Sequence, residues 1–298
     1  MSTPTLFLVT RPVLASPPAE DAGFVQAIAT APQLNVMDLG VTRGDGIFET
    51  ISVAEGHPQA LEPHLVRFSN SAGLMDMPEP NRTVWRQAVL AAIAAHEGES
   101  GRSPELFAKI IMTRGVEGTG VPTGWVYVDE VEDFSAARRH GIRVVRLDRG
   151  YRHDVAQTSP WLLQGAKSLS YAVNRAALRE AARRGADDVI FVSSDGYALE
   201  GPTSNVIARF GNRIVTPQTD QGILAGTTQA SVFEFFTARG FETAYEMVAA
   251  DRLDEADALW LVSSVRQAAP IRSLDGQEFA VNAALAGQLN SFLLARVE

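Results

Sequence analysis

The chain has 298 residues, 46% hydrophobic and 20% charged, with a formal net charge of −9 and a mean hydropathy near zero. That composition suits a folded chain with apolar content for one large core or two ordinary ones. An acidic balance without basic clusters argues against nucleic acid or an anionic membrane as the main partner. No stretch approaches the ~18 consecutive apolar residues of a membrane span.

There is no cysteine, so disulfides, thiolate nucleophiles and cysteine-ligated zinc drop out. His57, His64, His96, His140 and His153 are scattered without ligand spacing, and no metal site is expected. The first eighteen residues hold a short apolar run broken by Arg11 and prolines, unlike a secretory signal. A cytoplasmic location is the expectation. Arginine supplies nearly all the basic charge; Lys109 and Lys167 are the two lysines, so lysine chemistry has two candidates.

In chain order, Ile47–Val53 alternates as a strand and Glu62–Leu74 has helical spacing through Leu65, Phe68 and Ala72. Thr83–His96 is an alanine-rich amphipathic helix. Leu106–Thr113 and Gly124–Asp129 are strands, separated by the glycine-rich RGVEGTGVPTG. Ile142–Leu147 is the next strand, a polar stretch follows, and a short apolar strand leads to Lys167. Ser170–Arg184 is a helix; Asp188–Ser193, Ser204–Phe210 and Arg213–Thr216 are short strands with glycine turns. A helix from Thr227 ends towards Gly240. Strands at Glu242–Met247 and Ala258–Ser263 precede a final helix, Val281–Leu294. The expected fold is α/β (α+β) and two-lobed. A small N-terminal α/β lobe (1–135) and a connection (136–158) lead to a larger strand-rich C-terminal lobe (159–298) that carries Lys167.

Four segments hold residues suited to chemistry. Lys167 lies at a junction ahead of a helix, where burial or nearby positive charge makes a lysine amine a nucleophile or base; the plain alternative is a surface lysine. Glu200, ahead of Gly-Pro, either caps a turn or faces a protonated ring nitrogen. Gly226, Thr227 and Thr228 open a helix, which suits a phosphate through free N–H groups and the helix dipole; an ordinary threonine N-cap would look the same. Arg67, on the first long helix, is either a solvated charge or a phosphate ligand.

Together, from about Asn35 to Gly276, these segments resemble the fold-type IV pyridoxal 5'-phosphate (PLP) enzymes. That family holds branched-chain and D-amino-acid aminotransferases, (R)-selective amine transaminases and aminodeoxychorismate lyases. VTRGDGIFETI resembles the pocket-lining GDG-[FY]-E strand, EPHLVRF the H-x-x-R phosphate segment, and GAKSLSYAVNRAA the Schiff-base lysine segment. LEGPTSNV is similar to E-G-x-x-x-N, GILAGTTQASV to the L-x-G-[IV]-T phosphate loop, and LVSSVRQAAPIRSLDG to the late S/G-T-x-x-x-x-P-[IV] segment. The resemblance implies that Lys167 is the Schiff-base lysine and general base, and that Glu200 partners the ring nitrogen. Arg67, Leu224, Gly226, Thr227, Thr228 and Ser264 would hold the cofactor, chiefly its phosphate. Tyr171 would meet the ring hydroxyl, although it lies four positions past the lysine where branched-chain enzymes have five. Phe48, Thr50 and Arg114 would line the substrate pocket.

The reaction is less determined. After Arg114 the glycine-rich loop has no further arginine, so the R-x-H carboxylate trap of D-amino-acid aminotransferases is missing. Phe48-Glu49-Thr50-Ile51-Ser52 stands where a branched-chain enzyme has F-E-G-x-R. The leading expectation is a transaminase of (R)-amine or D-amino-acid type that uses a keto acid such as pyruvate. Second is 4-amino-4-deoxychorismate lyase, which releases 4-aminobenzoate and pyruvate. From another class, a non-catalytic small-molecule binder is disfavoured because lysine, glutamate and phosphate elements occur together. The resemblance also implies a homodimer acting on small amines, amino acids and keto acids.

Overall fold

The computed structural model describes residues 3–16, 21–100 and 105–296, without the side chains of 99 and 100. It divides into two compact units: Met1–Glu132 with Ala166–Tyr171 and Arg296–Glu298, and Asp133–Gly165 with Ala172–Ala295.

The first unit is one antiparallel sheet with helices on one face. Its strands are β1 (Thr5–Val9), β2 (Phe24–Ala27), β3 (Gly46–Ala54), β4 (His57–Pro58), β5 (Glu105–Thr113) and β6 (Thr123–Glu130), in the order β2-β1-β6-β5-β3-β4. A five-residue helix, α1 (Leu39–Arg43), precedes β3. β3 and β5 pair from Gly46↔Thr113 to Ala54↔Glu105, so residues opposite each other share a face. Leu106, Ala108, Ile110 and Met112 turn to the helices and are buried. α2 (Leu61–Leu74) buries Leu61, His64, Leu65, Phe68, Ser71 and Ala72, a stripe at helical spacing. α3 (Arg82–Ser100) buries Trp85, Ala88, Val89 and Ala92 in the same way. Phe68 and Trp85 meet edge to face at 5.1 Å, and the Trp85 indole N–H donates to the Pro12 carbonyl at 2.8 Å. Truncating either ring to alanine would cost about 3–5 kcal/mol.

The segment around Lys167 is not preceded by a strand, contrary to expectation. Pro160–Leu162 is a 3-10 turn, and Lys167–Leu169 itself runs extended along the start of β3. Phe48 N–H donates to the Lys167 carbonyl at 3.0 Å and Leu169 N–H to the Gly46 carbonyl at 2.8 Å. β4 pairs only with Val53 and Ala54, so the edge at Gly46–Phe48 is open to this segment. Ser170 and Tyr171, expected to be helical, therefore stay outside the helix, and the lysine segment belongs to the first unit.

The second unit is a mixed eight-stranded sheet. It comprises β7 (Ile142–Asp148), β8 (Asp188–Val192), β9 (Asn205–Phe210), β10 (Arg213–Pro217), β11 (Glu242–Glu246), β12 (Ala258–Ser263), β13 (Gln267–Leu274) and β14 (Gln277–Glu278). The order is β11-β10-β9-β12-β13-β7-β8, with β14 on β13. Its helices are α4 (Ser135–His140), α5 (Val155–Thr158), α6 (Ala172–Arg183), α7 (Thr227–Thr237) and α8 (Ala283–Leu294). Alternate residues feed two cores: Val206, Ala208, Leu259 and Leu261 join one, while Ile207, Trp260 and Val262 pack with Phe235, Phe236, Leu289 and Leu293 in the other. Burial on both faces explains why these strands read as nearly continuous apolar runs. The α7 segment closes at Thr237, and Gly240 at φ +82° turns the chain into β11 as its sequence suggests.

Candidate active site

In the first unit the chemistry gathers where α2 packs on β3. Glu49, on the helix-facing side of β3, is fully buried. Arg67 donates Nε–H to its Oε1 and Nη2–H to its Oε2, both at 2.7 Å, a two-pronged fit that fixes the guanidinium plane. His64, one helical turn earlier, places Nδ1 2.7 Å from Oε2. The carboxylate assigns the proton to that nitrogen, so Nδ1–H donates. Burial alone would raise the Glu49 carboxyl; the charge and hydrogen bonds of Arg67, with those of His64, outweigh it and hold it well below the usual carboxylate range. Burial pushes the His64 imidazole down, against the pull of Glu49, so its neutral form is favoured.

Lys167 is held beside this cluster. Its backbone N–H donates to Ser71 Oγ at 3.1 Å, and its Nζ lies 4.5 Å from the Phe48 ring centroid. Tyr171 meets the same ring edge-on at 5.4 Å. Phe48 and Thr50 lie on the face of β3 opposite Glu49, as strand alternation requires. Arg114, read as pocket-lining, is engaged by the fold: Nε–H donates to Asp45 at 2.8 Å, and Nη1 and Nη2 donate to the carbonyls of Asp76 and Met75.

In the second unit, Glu200, Leu224 and Asn205 are tied together. The Leu224 N–H donates to Glu200 Oε2 at 3.2 Å, and its carbonyl accepts from Asn205 Nδ2 at 2.8 Å. Gly226 is the N-cap of α7 and no side chain caps that helix, so the ordinary threonine cap is ruled out. A Cβ on Gly226 would stand 2.0 Å from Asn205 Oδ1, which is why glycine is required there. Thr227 and Thr228 are buried in the first turn, and Thr228 Oγ1 has no hydrogen-bond partner among the described residues. An orphaned buried hydroxyl at the positive end of an eleven-residue helix, in a turn where only glycine fits, suits a phosphate oxygen. Ser264 sits in the turn between β12 and β13, where its carbonyl accepts from Gln267 Nε2 at 2.5 Å.

The sequence assigned no role to Glu49, His64, Ser71 or Asn205, and left Lys109 only as one of two lysine candidates. His64 carried a signal, since the H-x-x-R spacing puts it one turn from Arg67. Glu49 is the glutamate of the GDG-[FY]-E segment, but its pairing depends on His64 and Arg67 of the following helix. Among the described residues, no cluster of His, Cys, Asp or Glu could hold a metal ion, and no helix is long and apolar enough to cross a membrane.

Residues 46–274 match the family model described as amino-transferase class IV. A bifunctional aminodeoxychorismate lyase / D-amino acid transaminase from Mycobacterium tuberculosis is 44% identical over 254 residues, covering 83% of this chain and 87% of that protein. The structure of CpuTA1, a fold IV transaminase from Curtobacterium pusillum, superimposes with a TM-score of 0.96 at 66% identity, over 98% of this chain and 99% of that one. A hypothetical aminotransferase from M. tuberculosis, solved in its PLP-bound form, superimposes with a TM-score of 0.88 at 38% identity, over 98% and 99% of the two chains.

Proposed function

The chain belongs to the class IV aminotransferases, PLP-dependent enzymes that are transaminases or aminodeoxychorismate lyases, and on that premise we propose that it is a transaminase. It would move an amino group between a D-amino acid or (R)-amine and a keto acid such as pyruvate. The lysine supports the PLP chemistry, since Lys167 is strapped to β3 with its ammonium over Phe48, beside the buried Glu49–His64–Arg67 cluster. The observation that carries the transaminase over the lyase is the 66% identity to a fold IV transaminase.

PLP, when bound, supplies the electron sink for the pair left on Cα once its proton is removed. Lys167 would attach the cofactor and serve as the base that takes and returns the Cα proton. In the first unit Arg67, held in plane by Glu49, would bind the phosphate, Tyr171 would meet the ring hydroxyl, and Phe48 and Thr50 would form pocket wall. In the second, Glu200 would keep a ring nitrogen protonated, while Leu224, Gly226, Thr227, Thr228 and Ser264, at the start of α7 and the β12–β13 turn, would hold the cofactor. The phosphate contacts give position rather than chemistry.

A homodimer is part of the proposal. Ile28, Val36, Met37 and Val41, exposed by 56 to 78% in the first unit, offer apolar surface for a second copy. A cytoplasmic location is likewise part of the proposal. The lyase is the second reading, favoured by the 44% identical relative that carries both activities in its name. The test incubates PLP-loaded protein with D-glutamate plus pyruvate, with (R)-1-phenylethylamine plus pyruvate, and with aminodeoxychorismate. D-alanine or acetophenone formation supports the transaminase. Release of 4-aminobenzoate without amino transfer would replace it with the lyase.

A further inference from the structure

Lys109 lies on β5 directly opposite Thr50 of β3 and Tyr127 of β6. Strand alternation places it with Phe48, Phe107, Ile111, Trp125 and Tyr127 on the sheet face that α2 and α3 do not cover. Its ammonium is 5.6 Å from the Tyr127 ring centroid, 5.8 Å from Phe48 and 5.9 Å from Phe107. Phe107 and Tyr127 brace each other edge to face at 5.7 Å. Lys109 is half-buried, and it makes no hydrogen bond or ion pair with any described residue.

A partly desolvated ammonium without a counter-anion is costly, and aromatic faces offset only part of that cost. The remaining demand is for an anion supplied from outside the chain. Its place specifies which anion. The Phe48 ring that flanks Lys109 also carries the Lys167 ammonium, at 4.5 Å. A substrate whose nitrogen is exchanged at Lys167 therefore has its remaining polar group within the neighbourhood of Lys109. Arg114, the other cation at the end of β5, is committed to Asp45 and to the carbonyls of Met75 and Asp76. Its loop contains no further arginine before β6.

We propose that Lys109 is the carboxylate anchor of the substrate pocket, a specificity-determining residue that selects amino acids and keto acids over simple amines. The inference rests on the transaminase reading and narrows its substrate class. It also supplies the cation that the glycine-rich loop lacks.

Single-turnover reactions of PLP-loaded wild type, K109M, K109Q and K109R with D-alanine and with (R)-1-phenylethylamine, followed by cofactor absorbance, give a selectivity ratio for each protein. The ratio of D-alanine to amine kcat/KM falls about 10- to 100-fold in K109M and K109Q, the range for a charge-assisted contact, and is largely kept in K109R. In parallel, calorimetry measures binding of benzoate, which has a carboxylate but neither amine nor ketone. Wild type and K109R bind it more tightly than K109M and K109Q by a similar factor. Circular dichroism confirms that each variant is folded, and K109Q stands in should K109M fail. Ratios and benzoate affinities within twofold of wild type in the neutral variants would overturn the anchor. Absence of amino transfer in wild type would instead sink the transaminase reading, while the benzoate comparison would still decide the anchor.

Discussion

Replacing Glu49 by glutamine tests the buried cluster under Lys167. In the wild type both carboxylate oxygens are occupied at 2.7 Å, by Arg67 Nε and Nη2 and by His64 Nδ1, with no exposure of the acid. Glutamine keeps the shape and one acceptor but removes the charge, and its NH2 faces groups that are themselves donors. Removing one partner of a buried pair costs about 3–5 kcal/mol, and the retained acceptor places this change near the lower end. At about 2–4 °C per kcal/mol for a protein approaching this size, the melting temperature falls by roughly 6–12 °C. Arg67 is then no longer held in plane, and PLP affinity, read by fluorescence titration of apoprotein, drops about tenfold, the value of one good hydrogen bond. Glu62→Gln is the control, because the Glu62–Arg86 pair is 46% and 35% exposed. It costs less than about 1 kcal/mol. An E49Q protein that melts with E62Q and binds PLP like wild type would refute the reasoning.

Three further outcomes follow from the geometry. Gly226→Ala forces a Cβ against Asn205 Oδ1 and so disturbs the Asn205–Leu224 tie; equilibrium titration will show at least about tenfold weaker PLP binding, in the range of a lost buried contact. Thr228→Val removes an orphaned buried hydroxyl, so the apoprotein melts no lower than wild type, while the stabilisation on adding PLP shrinks. The pH dependence of stability carries the mark of His64. Its folded-state value lies below the ordinary 6.5, so its contribution is complete above 6.5 and is lost as pH falls from there towards the folded-state value. Glu49, also lowered, adds a loss of the same sign below its ordinary 4.5. Urea unfolding from pH 8 to 4 will show stability declining below 6.5, and a flatter decline in His64→Asn.

Most strands and helices were legible in the sequence to within a residue or two, by the spacing of their buried residues or, in the second unit, by continuous apolar runs; α3 runs four residues past its expected end. The family segments were legible for a different reason, since their residue types recur at fixed spacing. What escaped was set by long-range pairing. β1 was passed over as a short apolar run, yet it lies between β2 and β6, and β6 is more than a hundred residues later. β13 contains Pro270, which argues against an inner strand; its pairing with β7 begins only at Ile271, so the missing N–H is tolerated. The Lys167 segment reads locally as a helix start, but the open edge of β3 holds it extended. Lys109 stood in the sequence only as one of two lysine candidates, and the sheet register is what brings it beside Phe48.

Lys167 is proposed as the amine that carries the cofactor. With two lysines in the chain, reduction of the PLP-loaded enzyme with borohydride, followed by proteolysis and mass spectrometry, tests it directly. One reduced cofactor is expected on the peptide containing Lys167, with Lys109 unmodified. A label on Lys109, or no label on a protein shown to have been saturated with PLP, would contradict it.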